Sequence, residues 1–87
     1  MSTKTQNHRI IFGLKVKQLR TELKLSFAQL AKQSGLSVSY LNEIEKGKKY
    51  PRADKIDLLA EALQTEVESL TSIELTKQLA PVGVLLQ

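Results

Sequence analysis

The sequence predicts an all-α domain, a compact bundle of five helices, and three observations lead there. Apolar residues recur at three- and four-residue spacing in successive short runs, which is the periodicity of helices with one buried face. Two of those runs, within Ser26 to Gly47 (SFAQLAKQSGLSVSYLNEIEKG), each open on a serine and are joined by a turn at Ser34-Gly35-Leu36. With 87 residues and no cysteine, the chain has no disulfide framework and must draw its core from a few well-packed helices.

Residues 1–7 (MSTKTQN) are polar and read as a flexible arm, followed by a domain over 8–70 and an extension over 71–87. Helix 1 is expected from His8 to Leu23, with Phe12, Val16, Leu19 and Leu23 as its apolar stripe. Ser26 followed by Gln29 forms a capping box that opens helix 2, where Phe27, Leu30 and Ala31 share a face. Gly35 ends helix 2 in the left-handed conformation that glycine adopts without steric cost. Ser37 caps helix 3, which turns Leu41, Ile44 and Glu45 inward and Val38, Ser39, Asn42 and Lys46 to the opposite face. Gly47 closes it.

The stretch Lys48-Lys49-Tyr50-Pro51-Arg52 is a loop, because Pro51 disfavours helix in the residue before it. Helix 4 follows from Ala53 to Leu63 and buries Ile56, Leu59, Ala60 and Leu63. Thr65 and Glu68 form a further capping box for a short helix 5 that buries Val67 and Leu70. There is no internal repeat, low-complexity tract or second domain boundary.

Charge is divided along the chain. Residues 1–55 carry 12 of the 13 Lys and Arg against four acidic residues, whereas 56–87 carry Lys77 against five. The overall net charge of +4 therefore joins a front half of +8 to a rear of −4. A polyanion-binding front fits nucleic acid better than a membrane surface. No signal peptide or membrane span is recognisable, so a cytoplasmic location is expected. His8 stands alone, Glu43 and Glu45 lie on different helical faces, and no glycine-rich phosphate loop is present. Neither a catalytic centre nor a metal or cofactor site is expected from such a set.

Two short helices joined by a tight turn are the layout of a helix-turn-helix, which offers its second helix to the major groove of DNA. The ordered pattern Val16-x-x-Leu19-Arg20, Leu25-Ser26, Gln29-Leu30-Ala31, Gly35-Leu36-Ser37, Tyr40-Leu41, Ile44-Glu45-x-Gly47, Pro51 and Leu59-Ala60-x-Ala62-Leu63 extends the resemblance. Over roughly residues 10–70 the chain resembles the lambda-repressor-like (XRE) helix-turn-helix family of bacterial and phage regulators. That resemblance implies a sequence-specific double-stranded DNA-binding regulator, more often a repressor, with helix 3 as reader and two copies on a pseudo-palindromic site.

By the same resemblance the start of helix 3 approaches base edges, which makes Val38, Ser39, Asn42 and Glu43 the candidate readers. Their chemistry suits the role: Asn42 can pair bidentately with adenine, Ser39 can donate or accept, Val38 can pack on a thymine methyl, and Glu43 can accept from cytosine. Lys46, Lys48, Lys49, Tyr50 and Arg52 lie on or just after the helix as candidate phosphate contacts, which position without specifying sequence. Arg52 would add shape readout if it reached the minor groove. The amides at the start of helix 2 could cap a phosphate. Arg20 and Glu45 are implied to form a structural ion pair between helices 1 and 3.

Some positions depart from the family pattern. Phe27 stands where many relatives carry a phosphate-contacting glutamine, and would pack inward or cover a sugar. Lys24 and Gln64 replace glycines that often end helices, so helices 1 and 4 are expected to end differently. The extension, ending LAPVGVLLQ, is apolar, and three readings stay open for it: a homodimer contact, a fold back onto helix 1, or the start of a further region. The competing function is a protein-interaction module, an antitoxin or adaptor that binds its partner through this tail. Single-stranded RNA is a weaker third possibility, because base stacking needs exposed aromatic rings and only four are present.

Overall fold

Serine hydroxyls and left-handed residues set the helix boundaries in the computed structural model, which describes residues 3–72, with side chains from Asn7 onward. The order is α1 (Thr3–Glu22), α2 (Phe27–Ser34), α3 (Val38–Glu45), α4 (Ala53–Ala62) and α5 (Val67–Thr71). The architecture is all-helical among the described residues, and its main contacts run in a ring, α1–α3–α2–α4–α5 and back to α1.

Ser26 forms the full capping box at α2: its hydroxyl accepts the Gln29 amide at 3.1 Å while the Gln29 side chain accepts the Ser26 amide at 2.8 Å. Ser37 accepts the Tyr40 amide at 3.0 Å and so opens α3. Both satisfy donors that the first turn leaves without partners. Gly35 (φ 80°) ends α2 with its amide bonded to the Ala31 carbonyl, and Gly47 (φ 78°) ends α3.

Three expectations are corrected. First, α1 begins at Thr3 rather than His8, so residues 3–7 continue the helix; nothing in Thr3–Asn7 is a helix breaker. Second, the Thr65–Glu68 capping box does not form. The N-cap of α5 is Glu66, without a side-chain cap bond, because the Thr65 amide is taken by the Ala60 carbonyl in closing α4. Third, Lys24 (φ 59°) and Gln64 (φ 57°) adopt the left-handed conformation of the glycines they replace. Each ends its helix in the paired bonds of a Schellman motif: Leu25 N–H to Arg20 and Lys24 N–H to Thr21, then Thr65 N–H to Ala60 and Gln64 N–H to Glu61. Helices α1 and α4 thus end as a glycine would end them. The readings of the apolar tail from residue 73 onward lie outside the described residues.

The core gathers Phe12 and Val16 of α1, Leu30 of α2, Leu36 of the turn, and Leu41 and Ile44 of α3. It continues into Ile56, Leu59, Ala60, Ala62 and Leu63 around α4 and Leu70 of α5. Each large member contributes roughly 2 kcal/mol through apolar burial. Two features were not legible as an apolar stripe. Gly13 is buried where α1 crosses α3, and an added Cβ would collide with the Ile44 carbonyl oxygen and lie 3.0 Å from that of Glu45. Lys15 is also buried, and its ammonium donates to the Ser72 carbonyl just past α5.

Candidate nucleic-acid interface

The inward face of α3 is anchored at three points. Leu41 and Ile44 are fully buried, and Glu45 reaches α1. The Arg20 Nε–Glu45 Oε2 separation is 2.7 Å, and a second guanidinium nitrogen lies 3.2 Å from Oε1, so the pair is bidentate. The third guanidinium nitrogen donates to the Leu25 carbonyl at 2.8 Å. With side-chain exposures of 13% and 6%, this pair is well shielded, and its planar geometry fixes the rotation of α3 about its own axis. The Arg20 guanidinium also lies 4.2 Å over the Phe27 ring, which packs partly against the core. Of the two fates expected for Phe27, inward packing accounts for much of the ring.

With that face fixed, the rest of the helix follows from its period. Val38 (44% exposed) and Ser39 point outward at the capped end, Asn42 and Glu43 are half-buried on the same arc, and Lys46 is exposed at the far end. The structure therefore brings all four candidate base readers together on one side of α3.

The following loop is pinned from beneath. Gly47 lies close against Ile10, so an added Cβ would come within 3.1 Å of its side chain. The Tyr50 ring packs tilted on Phe12 with centroids 5.0 Å apart, and Pro51 is buried. These anchors leave Lys48, Lys49 and Arg52 exposed beside the outward arc of α3. Lys49 lies 3.4 Å from Glu43 and 5.8 Å over the Tyr40 ring. The Lys49–Glu43 pair is open to solvent at both side chains, so it contributes little and Lys49 easily exchanges Glu43 for another anion. Tyr50 differs from its cationic neighbours in spending its ring on the core. Lys17 of α1 lines an open cleft together with Asn42 and Lys46 of α3 and is absent from the basic cluster that the sequence suggested, because it is remote in the chain.

Among the described residues no group of three or more His, Cys, Asp or Glu could hold a metal ion. No helix among them is long and apolar enough to cross a membrane.

The helix-turn-helix family pattern matches residues 16–70, from mid-α1 through α5. The chain belongs to the helix-turn-helix family. Over 60 residues it is 43% identical to the HTH-type transcriptional repressor RghR of Bacillus subtilis, covering 68% of this chain and 44% of that protein. Over 67 residues it is 33% identical to the control protein C.BamHI of Bacillus amyloliquefaciens, covering 76% of this chain and 83% of that one. Among solved structures, the restriction-modification controller protein C.AhdI from Aeromonas hydrophila superposes with a TM-score of 0.69 at 37% identity, over 71% of this chain and 94% of that chain. The chain thus spans less than half the length of RghR and most of the two controller proteins.

Proposed function

We propose that this helix-turn-helix protein is a sequence-specific double-stranded DNA-binding transcriptional regulator, a cytoplasmic repressor that acts as a homodimer and reads the major groove with α3. The observation that carries the reading is the presentation of α3. Ser37 caps it, Leu41 and Ile44 bury it, Arg20 and Glu45 fix its rotation, and Val38, Ser39, Asn42 and Glu43 stand together on its outward side. Membership of the helix-turn-helix family, and likeness to a repressor and to controller proteins, support it.

In this reading Asn42 pairs with adenine, Val38 packs on a thymine methyl, and Ser39 and Glu43 complete the base contacts. Lys46, Lys48, Lys49, Tyr50 and Arg52 hold the strand backbone, and Lys49 leaves Glu43 for a phosphate. Arg20 and Glu45 touch no DNA and position the helix. Two copies would engage half-sites about 10 base pairs apart.

Selection from a random duplex library at near-physiological salt tests the whole reading, and a palindromic consensus is the expected result. On the selected duplex, Asn42→Ala should relax preference at one base pair by about 1–3 kcal/mol. Lys49→Ala should weaken all duplexes alike and lower the salt slope by about one. Equal behaviour of the two variants would remove the division between readers and phosphate contacts. No enrichment by folded protein would turn the reading toward a partner-binding module.

A further inference from the structure

Among the exposed large apolar side chains, Val38, Tyr50 and Leu58 each come from a different element, but Ile10 and Leu14 share one. They lie one turn apart on α1, 49% and 47% exposed, and half-buried Ile11 stands beside both. From Ile10 to Leu14 the helix carries no polar side chain, so it is apolar on its outer face as well as on the face that buries Phe12. A helix that is apolar all round belongs between two covering layers, and contiguous exposed apolar surface marks a docking face. The edges of this stripe are defined. Ile10 rests against Gly47 at the end of α3, and Ile11 lies one turn before Lys15, whose buried ammonium donates to the Ser72 carbonyl. The stripe therefore runs from the end of α3 to the point at which the chain leaves α5.

Fifteen residues follow Ser72. Eight of them are Ile, Leu, Val or Ala, and none from Gln78 onward is charged, so their composition matches an apolar stripe without charges. We propose that residues 73–87 of this same chain dock on the outer face of α1, over Ile10, Ile11 and Leu14. The Lys15–Ser72 hydrogen bond delivers the segment to the edge of the stripe. Length is sufficient even at helical rise, since fifteen residues advance about 22 Å and one turn of α1 spans about 5.4 Å. A segment tethered beside its docking face meets it at an effective concentration on the order of millimolar, which favours it over a second copy of the chain. The docking gives α1 an apolar partner on its second side. It is independent of the duplex-binding reading above.

The test is methyl NOE spectroscopy on the full chain, labelled at Ile, Leu and Val. Contacts from Ile10, Ile11 and Leu14 to methyl groups of residues 73–87 are the expected result. In a mixture of labelled and unlabelled chains, filtered for contacts between copies, these should disappear. Leu14→Glu should abolish the contacts while the resonances of Val16, Leu41 and Ile44 stay in place, showing that the core is intact. Leu58→Glu makes the same change at an exposed apolar residue of α4 and should leave the contacts unchanged. Methyl groups of the tail that show no contact with α1 in the parent protein would overturn the proposal, whatever the variants do. Contacts that persist in Leu14→Glu would overturn it as well. Contacts seen only between copies would also overturn it and assign the stripe to self-association.

Discussion

Helices α2 and α3 begin at serines whose hydroxyls accept backbone amides, whereas α4 and α5 begin at Arg52 and Glu66, whose side chains cap nothing. The two halves differ at their other ends as well. Glycine closes α2 and α3, while Gln64 closes α4 from a left-handed conformation that side chains resist. A bidentate ion pair ties α3 to α1; α4 and α5 are held mainly by burial of Ile56, Leu59, Ala60, Leu63 and Leu70, with one charged hydrogen bond from Lys15 of α1 to the Ser72 carbonyl at the end of α5. Burial is non-directional and fixes that helices meet, not the angle at which they do. Hydrogen bonds and planar ion pairs have narrow geometry and fix orientation. Directional contacts are concentrated in the half proposed to hold side chains in register with base edges.

The largest expected effect comes from forcing α1 and α3 apart. Gly13→Ala gains about 1 kcal/mol in helix propensity. That gain is outweighed by the collision of its Cβ with the Ile44 carbonyl, because backbone cannot move aside as a flexible side chain can. A net loss of roughly 3 kcal/mol is expected, on the order of 15 °C in Tm, read by thermal unfolding. A variant that melts with the parent would mean that α3 is not seated closely on α1.

Next in size is the ion pair itself. Arg20→Ala or Glu45→Ala should each lose about 2 kcal/mol, between the values for exposed and fully buried pairs, with strong coupling in the double variant. At the rear, Lys55 and Asp54 stand 4.0 Å apart on the surface, and Lys55→Ala should change stability by less than about 0.5 kcal/mol. Similar losses at both places, measured by urea unfolding, would erase the contrast between the halves. Loss of DNA affinity in either Arg20 or Glu45 variant would follow from a loosened helix, so it would not by itself mark a contact.

The front half was also the more legible half in the sequence, for the same physical reason. Ser26 with Gln29, Gly35 and Ser37 act within a few residues of themselves, so local spacing specifies the structure they make. The apolar stripes likewise placed Phe12, Val16, Leu41, Ile44 and Leu59 in the core. What escaped depends on contacts distant in the chain. Gly13 reads as an ordinary weak helix residue until Ile44 is placed beside it, and Lys15 reads as solvated until Ser72 arrives. Lys17 joins Lys46 only because α1 and α3 cross. The Thr65–Glu68 box failed through competition, since the Thr65 amide was already needed by the end of α4.

Capping sharpens the comparison at smaller scale. Ser37→Ala should lose about 1 kcal/mol, because the Tyr40 amide is left without its acceptor. Glu66→Ala, at an N-cap with no side-chain bond to lose, should stay within about 0.5 kcal/mol of the parent. Thermal unfolding of the two single variants is sufficient, and a reversal of their order would place directional control in the rear half instead.

The smallest effects run in the stabilising direction. Lys24 and Gln64 hold φ of 59° and 57°, which costs a side-chain-bearing residue about 1–2 kcal/mol. Glycine removes that strain but gives back roughly 0.5–1 kcal/mol through the greater freedom of its unfolded chain. Lys24→Gly and Gln64→Gly should therefore each stabilise by about 0.5 kcal/mol and add when combined, since they close different helices. Gly35→Ala provides the reverse measurement. An added Cβ there meets nothing within 4 Å, so its loss of about 1 kcal/mol would report backbone conformation alone. If Gly35→Ala destabilises while Lys24→Gly and Gln64→Gly leave Tm unchanged, the Schellman hydrogen bonds at those two helix ends already offset the strain. The rear of the molecule would then tolerate a left-handed glutamine without loss, and the difference between the halves would reside in their N-caps and the ion pair alone.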